Sequence, residues 1–267
     1  MHAHPTSGAV NTGFPRFFTF SGYSINSYKF FLCVGIYVGT LTTAALAGAS
    51  GLSPLRIGLA AMSCGLVGLI GARVYHLLVH APNYLFHRSL SALWNSKHGG
   101  ASGFGALLTF VPAFFAAAAW MDVPPAILGD HMAVGVLTAG FWIRLGCVFN
   151  GCCAGRPSKA PLSVRLHDTR GVSTSRLPVQ FLEMAWWLVG LALFLTLWPS
   201  ALPPGSYALA VLAWYGLGRF FLEPLRERPA IVFGQVRINQ VVAALLALAA
   251  GCALIMRVGL YNLYVPH

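Results

Sequence analysis

Apolar residues run along this chain in long blocks separated by short polar segments. Seven blocks approach the roughly 20 residues that an α-helix needs to cross a bilayer's hydrocarbon core. They cover residues 30–50, 57–79, 101–120, 126–149, 179–198, 205–222 and 236–256. Lipid-exposed backbone must satisfy its hydrogen bonds within its own segment, so each block predicts a helix. The expected fold is all-α: a single polytopic membrane domain over residues 1–267, with a polar cavity on one side.

Composition agrees. Hydrophobic residues make up 57% of the 267 and charged residues only 9%, with a mean hydropathy of +0.70, which excludes an ordinary soluble domain. The opening residues "MHAHPTSGAVNTGFPRFFTF" lack the charged head, apolar core and cleavage site of a removable signal peptide, so the first span is expected to do the targeting. A net charge of +11 raises the question of nucleic acid. The basic residues are spread over short loops and helix ends without a basic arm or binding motif, so no nucleic-acid partner is expected and anionic headgroups of the membrane take that place. One side of the membrane holds Arg16, Lys29, Arg88, Lys97, Arg156, Lys159, Arg165, Arg170, Arg176, Arg226 and Arg228, and the other only Arg56 and Arg257. If these charges serve topology, the N-terminus is cytoplasmic; if several serve an anion site, that count misleads.

Two loops, 81–100 and 151–178, exceed simple connectors and are expected to carry function or structure of their own. Ionisable residues inside the spans are few: Arg73, His76, Asp130, His131, Arg144, Glu183, Arg219, Glu223 and Arg237. Each is costly in lipid and faces a cavity, a partner or the interface. In "YGLGRFFLEPLRERP" Arg219 and Glu223 share a helix face, and Pro224 must stop or kink the helix beside them. This is either a structural ion pair or the wall of a polar cavity. Arg144 lies near the end of the fourth span, before the turn "NGCCAG". The planar fork of arginine suits phosphate, so Arg144 and Arg219 are candidates to hold one between them, with a phospholipid headgroup as ligand. The glycine-rich entry "HGGASGFG", with Gly99 and Gly100, offers backbone amides to an anion, and His98 is an acid/base candidate or a solvated loop residue.

Cys33, Cys64 and Cys252 stand singly in apolar spans and are expected to pack there. Cys147, Cys152 and Cys153 leave several readings open: packing around a tight turn, a disulfide, or a thiolate nucleophile beside Arg144. Their C-x4-C-C spacing lacks the paired C-x2-C of common zinc sites, and no H-x3-H follows, so neither metal nor cofactor is expected.

Together these stretches resemble the prolipoprotein diacylglyceryl transferase family of bacterial inner-membrane enzymes. "IRLGCVFNGCCAG" keeps Arg144, Gly146, Asn150, Gly151 and Gly155 of the signature Gly-Arg-Ile/Leu-Gly-Asn-Phe-x-Asn-Gly-Glu-x-x-Gly. "YGLGRFFLEPLRERP" keeps Tyr215, Gly216, Arg219, Phe220, Glu223, Arg226 and Glu227 of a second motif. "RLPVQFLE" matches a third through Arg176, Pro178, Gln180 and Glu183, Asp130 falls where the family has an aspartate, and Gly234 and Gln235 fit a Gly-Gln pair opening the last helix. The resemblance implies transfer of a diacylglyceryl group from phosphatidylglycerol to the lipobox cysteine of a prolipoprotein signal peptide, releasing glycerol 1-phosphate, with the N-terminus and site on the periplasmic side. It assigns catalytic roles to Arg144, Arg219 and Glu223, while the family's histidine falls on Phe104 and His98, six residues earlier, is the candidate to substitute for it. Substrate binding falls to Asn150, Gly151, Gly99, Gly100, Tyr215, Arg226 and Asp130. The chain departs from the family at three positions: Phe104 stands at a family histidine, Cys147 at an asparagine and Cys152 at a glutamate. The other readings are a catalytically lapsed, lipid-binding accessory protein and a thiol-dependent acyltransferase.

Overall fold

The computed structural model describes residues 14–21, 23–79, 103–169, 172–199, 202–227, 232–233 and 236–264. Seven α-helices run through them: α1 Ser27–Ala49, α2 Pro54–Val79, α3 Gly103–Trp120, α4 Pro125–Asn150, α5 Val179–Leu197, α6 Ser206–Leu222 and α7 Ile238–Tyr264. Each of the seven predicted blocks holds a helix among the described residues, and the last of these begins at Ile238, two residues into its block, and runs eight residues beyond it, to Tyr264. Six are long and apolar enough to cross a membrane, whereas the described apolar part of α3, Gly105–Trp120, falls short of that length. The chain is a multi-pass helical membrane protein. Large apolar side chains such as Leu245, Leu248 and Ile255 of α7 are exposed, as lipid-facing residues should be.

The helix ends follow from local chemistry. Gly151 adopts φ +72 just after α4, the left-handed cap that satisfies terminal carbonyls and favours glycine. Pro178 immediately precedes α5 and Gly205, at φ 90, precedes α6. Pro224 cannot continue α6, and the chain tightens into a 3-10 turn, Glu223–Leu225.

Among the described residues, three antiparallel hairpins were not predicted, and only one of their strands, Val236–Arg237, overlaps an apolar block, the one over 236–256. The hairpins are β1–β2 (Phe17–Phe20, Tyr23–Asn26), β3–β4 (Val164–His167, Ser173–Arg176) and β5–β6 (Val232–Phe233, Val236–Arg237). The second gives the long loop after α4 the structure of its own that its length foretold, with Val164 opposite Arg176 and His167 opposite Ser173.

Contacts divide the chain into two units. Thr40–Gly135 centres on Ala47, Ile57, Ala60, Cys64, Ala117, Ala118, Leu128 and Met132. In it α2 and α3 approach closely through small residues, and Thr109 donates its hydroxyl across to the Val67 carbonyl at 3.1 Å. The other unit comprises Met1–Gly39 and Val136–His267. There α5 and α6 are clasped by Trp186 and Trp214, whose rings stack at 4.2 Å. Each indole N–H donates to the other residue's carbonyl, at 3.0 and 3.1 Å. Gly190 admits this clasp, since a Cβ there would meet Trp214 Cδ1 at 2.8 Å. Gly216 likewise lets α7 approach to where a Cβ would lie 2.7 Å from the Ala243 carbonyl. Gly190→Val should therefore overpack the α5–α6 seam and cost about 1–3 kcal/mol, read as a lowered thermal unfolding midpoint in detergent.

Candidate active site

Four helix ends of the larger unit deliver charge to one place. The last turns of α4 bring Arg144, the start of α5 brings Glu183, the end of α6 with its 3-10 turn and the residue after it bring Arg219, Glu223 and Arg226, and β6 and the start of α7 bring Arg237 and Asn239. Glu183 is the hub. Its Oε2 lies 3.2 Å from Arg144 Nε and its Oε1 3.5 Å from Arg219 Nη1. The same Oε1 also accepts from Arg226 Nη2. Glu223 Oε2 pairs with Arg219 Nη2 at 2.9 Å and stands 3.7 Å from Arg226 Nε. Its Oε1 accepts from Asn239 Nδ2 at 3.0 Å, and its backbone carbonyl accepts from Arg237 Nη1 at 3.2 Å.

Exposure divides the cluster by sign. The side chains of Glu183 and Glu223 are 4% and 2% exposed, whereas those of Arg144, Arg219 and Arg226 retain 16%, 17% and 11%. With Arg237, four guanidinium groups stand against two carboxylates, so the cluster carries excess positive charge, and the side chains of Arg144, Arg219 and Arg226 are more exposed than the carboxylates. Burial works against the charge of Arg226, but Glu183 and then Cys153 more than offset it and raise its pKa. This is a preorganised cationic wall, held from behind by buried carboxylates and suited to an anion with several oxygens.

The loops that close the site are tied by backbone. Arg156 N–H donates to the Leu225 carbonyl at 2.9 Å and Glu227 N–H to the Ala154 carbonyl at 3.1 Å, so the turn after α4 is laced to the segment after α6. On its other edge, Leu177 N–H donates to the Arg156 carbonyl at 3.1 Å and Ser158 N–H to the Ser175 carbonyl at 3.0 Å. Arg176, almost wholly buried, braces this join through Glu227 at 2.7 Å and Asp168 at 3.4 Å. His167 Nε2 donates to the Phe149 carbonyl at 3.1 Å.

Within the turn, Gly151 leaves no room for a side chain, because a Cβ would sit 2.8 Å from the Asp168 carbonyl carbon and oxygen. Cys153 adopts φ 58, a left-handed conformation costing a residue with a Cβ about 1–2 kcal/mol. Gln180 clamps the turn, with Nε2 donating to the carbonyls of Cys147 at 3.2 Å and Cys152 at 2.7 Å. The sulfurs of Cys147, Cys152 and Cys153 lie within 4.8 Å of one another, unbridged, and Arg144 Nη1 is 3.8 Å from Cys147 Sγ. Hydrogen bonds with Cys147 and Cys152, followed by the charges of Arg226 and Arg144, hold the Cys153 thiol well below its ordinary pKa. The contact of Cys152 with Cys147 favours its thiolate, but its contact with Cys153 and its burial outweigh this and push it up to about 11. A cavity of about 270 Å³ opens on Cys152, Cys153, Asp168, Thr169 and Arg226.

Of the residues singled out from sequence, Arg144, Arg219, Glu223 and Arg226 meet in one cluster. Asn150 and Gly151 form the adjoining turn, with Asn150 Oδ1 accepting from Asn26 Nδ2 at 3.1 Å. Tyr215 stacks on Trp187 at 5.9 Å, one helical turn before Arg219. Asp130 is buried about four turns before Arg144 on α4, in the Thr40–Gly135 unit. His98, Gly99, Gly100, Gly234 and Gln235 lie outside the described residues, and Phe104 is in the first turn of α3. Glu183, Gln180, Arg176 and Asn239 were given no site role from sequence. The signal for Glu183 was present, as a carboxylate within an otherwise apolar helix; nothing local marks Asn239.

The architecture defines a class: a polytopic helical membrane protein with a buried arginine–carboxylate cluster at the helix ends of one unit. A family model described as prolipoprotein diacylglyceryl transferase matches residues 15–256, and the chain belongs to that family. Similar proteins include one from Bifidobacterium adolescentis, 32% identical over 195 residues, covering 64% of this chain and 57% of that protein. Another from Leifsonia xyli subsp. xyli is 28% identical over 79% of this chain and 68% of its own length. A third from Frankia alni is 28% identical over 94% of this chain and 66% of its own. Each is named a phosphatidylglycerol–prolipoprotein diacylglyceryl transferase, and the chain spans between 57% and 68% of their lengths.

Removing the hub should be severe. Glu183→Ala leaves three guanidinium groups without their shared carboxylate and should destabilise the protein by about 3–5 kcal/mol, seen as a lower unfolding midpoint in detergent. Gly151→Ala should lower that midpoint as well, because strain and a backbone clash coincide there.

Proposed function

We propose that this protein transfers the diacylglyceryl group of phosphatidylglycerol to the lipobox cysteine thiol of a prolipoprotein. The observation that carries this reading is the division of exposure, in which the side chains of Arg144, Arg219 and Arg226 stay partly exposed while Glu183 and Glu223 are covered. In such a transfer the acceptor sulfur attacks the glyceryl carbon, the carbon–oxygen bond to phosphorus breaks, and glycerol 1-phosphate departs with the electron pair. Negative charge grows on the phosphate, and donors fixed in advance stabilise that growth most effectively. Arg144 and Arg219 contact the phosphate, while Glu223 and Glu183 are positioning residues that hold the guanidinium planes. The relatives' shared name supports both substrates.

On this reading the site faces the periplasm from the inner membrane, and the N-terminus lies on the same side. Support comes from the crowd of basic residues there. Of the basic residues counted on that side, Arg176 and Arg226 are engaged in ion pairs of the site and its rim, so they serve the site rather than topology.

A second reading, an accessory lipid-binding protein without turnover, draws on Phe104, Cys147 and Cys152 at the positions where the family has histidine, asparagine and glutamate. One experiment separates them. Purified protein with phosphatidylglycerol and a lipobox peptide should add a diacylglyceryl mass to the peptide cysteine, and Arg144→Ala or Arg219→Ala should slow that by about 10²–10³-fold. Absence of the adduct, under conditions where another family member forms it, favours the accessory reading.

A further inference from the structure

Two cysteines that mark this chain's departure from its family, Cys147 and Cys152, stand beside a third, Cys153. Spacing in the sequence gives no hint of a ligand set, yet α4 and its turn carry Cys147, Cys152 and Cys153 to mutual sulfur separations within 4.8 Å. Thiolates around a zinc ion, at Zn–S distances of about 2.3 Å, lie about 3.8 Å apart, so the separations here exceed that spacing by at most about 1 Å.

Three further features suit a cation. Cys147 is in the last turn of α4, where helix carbonyls make the potential negative. Gln180 fixes the carbonyls of Cys147 and Cys152, the backbone bracing from outside the ligand set that metal sites depend on. Cys153 is held in a left-handed conformation that a residue with a Cβ rarely adopts, and such strain gathers at functional positions. Three thiolates around a divalent ion leave one net negative charge, which Arg144 and Arg226 face at close quarters.

We propose that Cys147, Cys152 and Cys153 form a three-thiolate site for a divalent zinc-class ion whose fourth position opens to the 270 Å³ cavity and takes an external thiol. Three protein ligands with one open position is the arrangement of reactive rather than structural zinc sites. A thiol entering that position loses its proton to solvent and stays bound as a thiolate. Its sulfur then forms the new bond to the glyceryl carbon as the carbon–oxygen bond to the phosphate breaks. The identity of that thiol as the acceptor cysteine rests on the transferase reading; the metal site itself does not.

The test uses full-length protein in detergent with a non-thiol reductant, stripped by chelator and titrated with Co²⁺. One equivalent should bind with a sulfur-to-cobalt charge-transfer band and be displaced by Zn²⁺. Cys153→Ser should weaken binding by more than the roughly 10–100-fold that loss of an outer-sphere partner costs, whereas Cys33→Ser and Cys252→Ser should leave it unchanged. A lipobox peptide should shift the band, and its cysteine-to-serine counterpart should not. No stoichiometric binding by the unsubstituted protein, binding that survives Cys153→Ser, or a disulfide among the three in protein isolated without reductant overturns the site. A band indifferent to the peptide overturns the open fourth position. Diacylglyceryl transfer by metal-free protein overturns the metal proposal and leaves the transferase reading standing, while metal binding without any adduct does the reverse.

Discussion

Everything in the larger unit answers to one constraint: Glu183 is a buried carboxylate in an apolar helix and must be matched by positive charge. It is met by three guanidinium groups from two other segments, Arg144 of α4, Arg219 of α6 and Arg226 just beyond it. A charge in that setting is tolerated only with near-complete pairing, so the ends of α4, α5 and α6 must converge there. Each arginine is paired with a carboxylate and its side chain stays partly exposed. The ion pairs therefore position the cationic wall as well as stabilise it.

The loops serve the same end. The turn after α4 lies between the Leu225–Glu227 segment and the β3–β4 hairpin, joined to both by backbone hydrogen bonds. Gly151 and Gly155 allow that approach, and Arg176 locks it through Asp168 and Glu227. A lipid-facing loop without such lacing would leave polar backbone unsatisfied near the hydrocarbon. The hairpin thus makes a rigid rim from what would otherwise be 28 residues of connector, 151–178.

The helices were legible because bilayer thickness acts on length and hydropathy alone, which the sequence displays directly. Arg219 and Glu223 were legible because their spacing of four and Pro224 fix their relation locally. The partner of Arg144 was not, because Glu183 is 39 residues away and only the return of α5 brings it near. The same holds for Asn239, which reaches Glu223 across α6 and α7. The hairpins were missed because strands of four residues or fewer leave no periodic signal among polar loop residues. For the cysteines, spacing argued against a ligand set, whereas the left-handed Gly151 and Cys153 fold the turn so that the sulfurs converge.

On the proposed transferase reading, family membership and site geometry meet at the phosphate. The central claim is that the partly exposed guanidinium groups of Arg144 and Arg219 hold it, and binding of glycerol 1-phosphate to the detergent-solubilised protein tests this most directly. Saturable binding that weakens with ionic strength, is not shared by glycerol, and is lost in Arg219→Gln while the protein stays folded is the expected result. Glycerol 1-phosphate that fails to bind, or binds equally well to folded Arg219→Gln, would contradict the account.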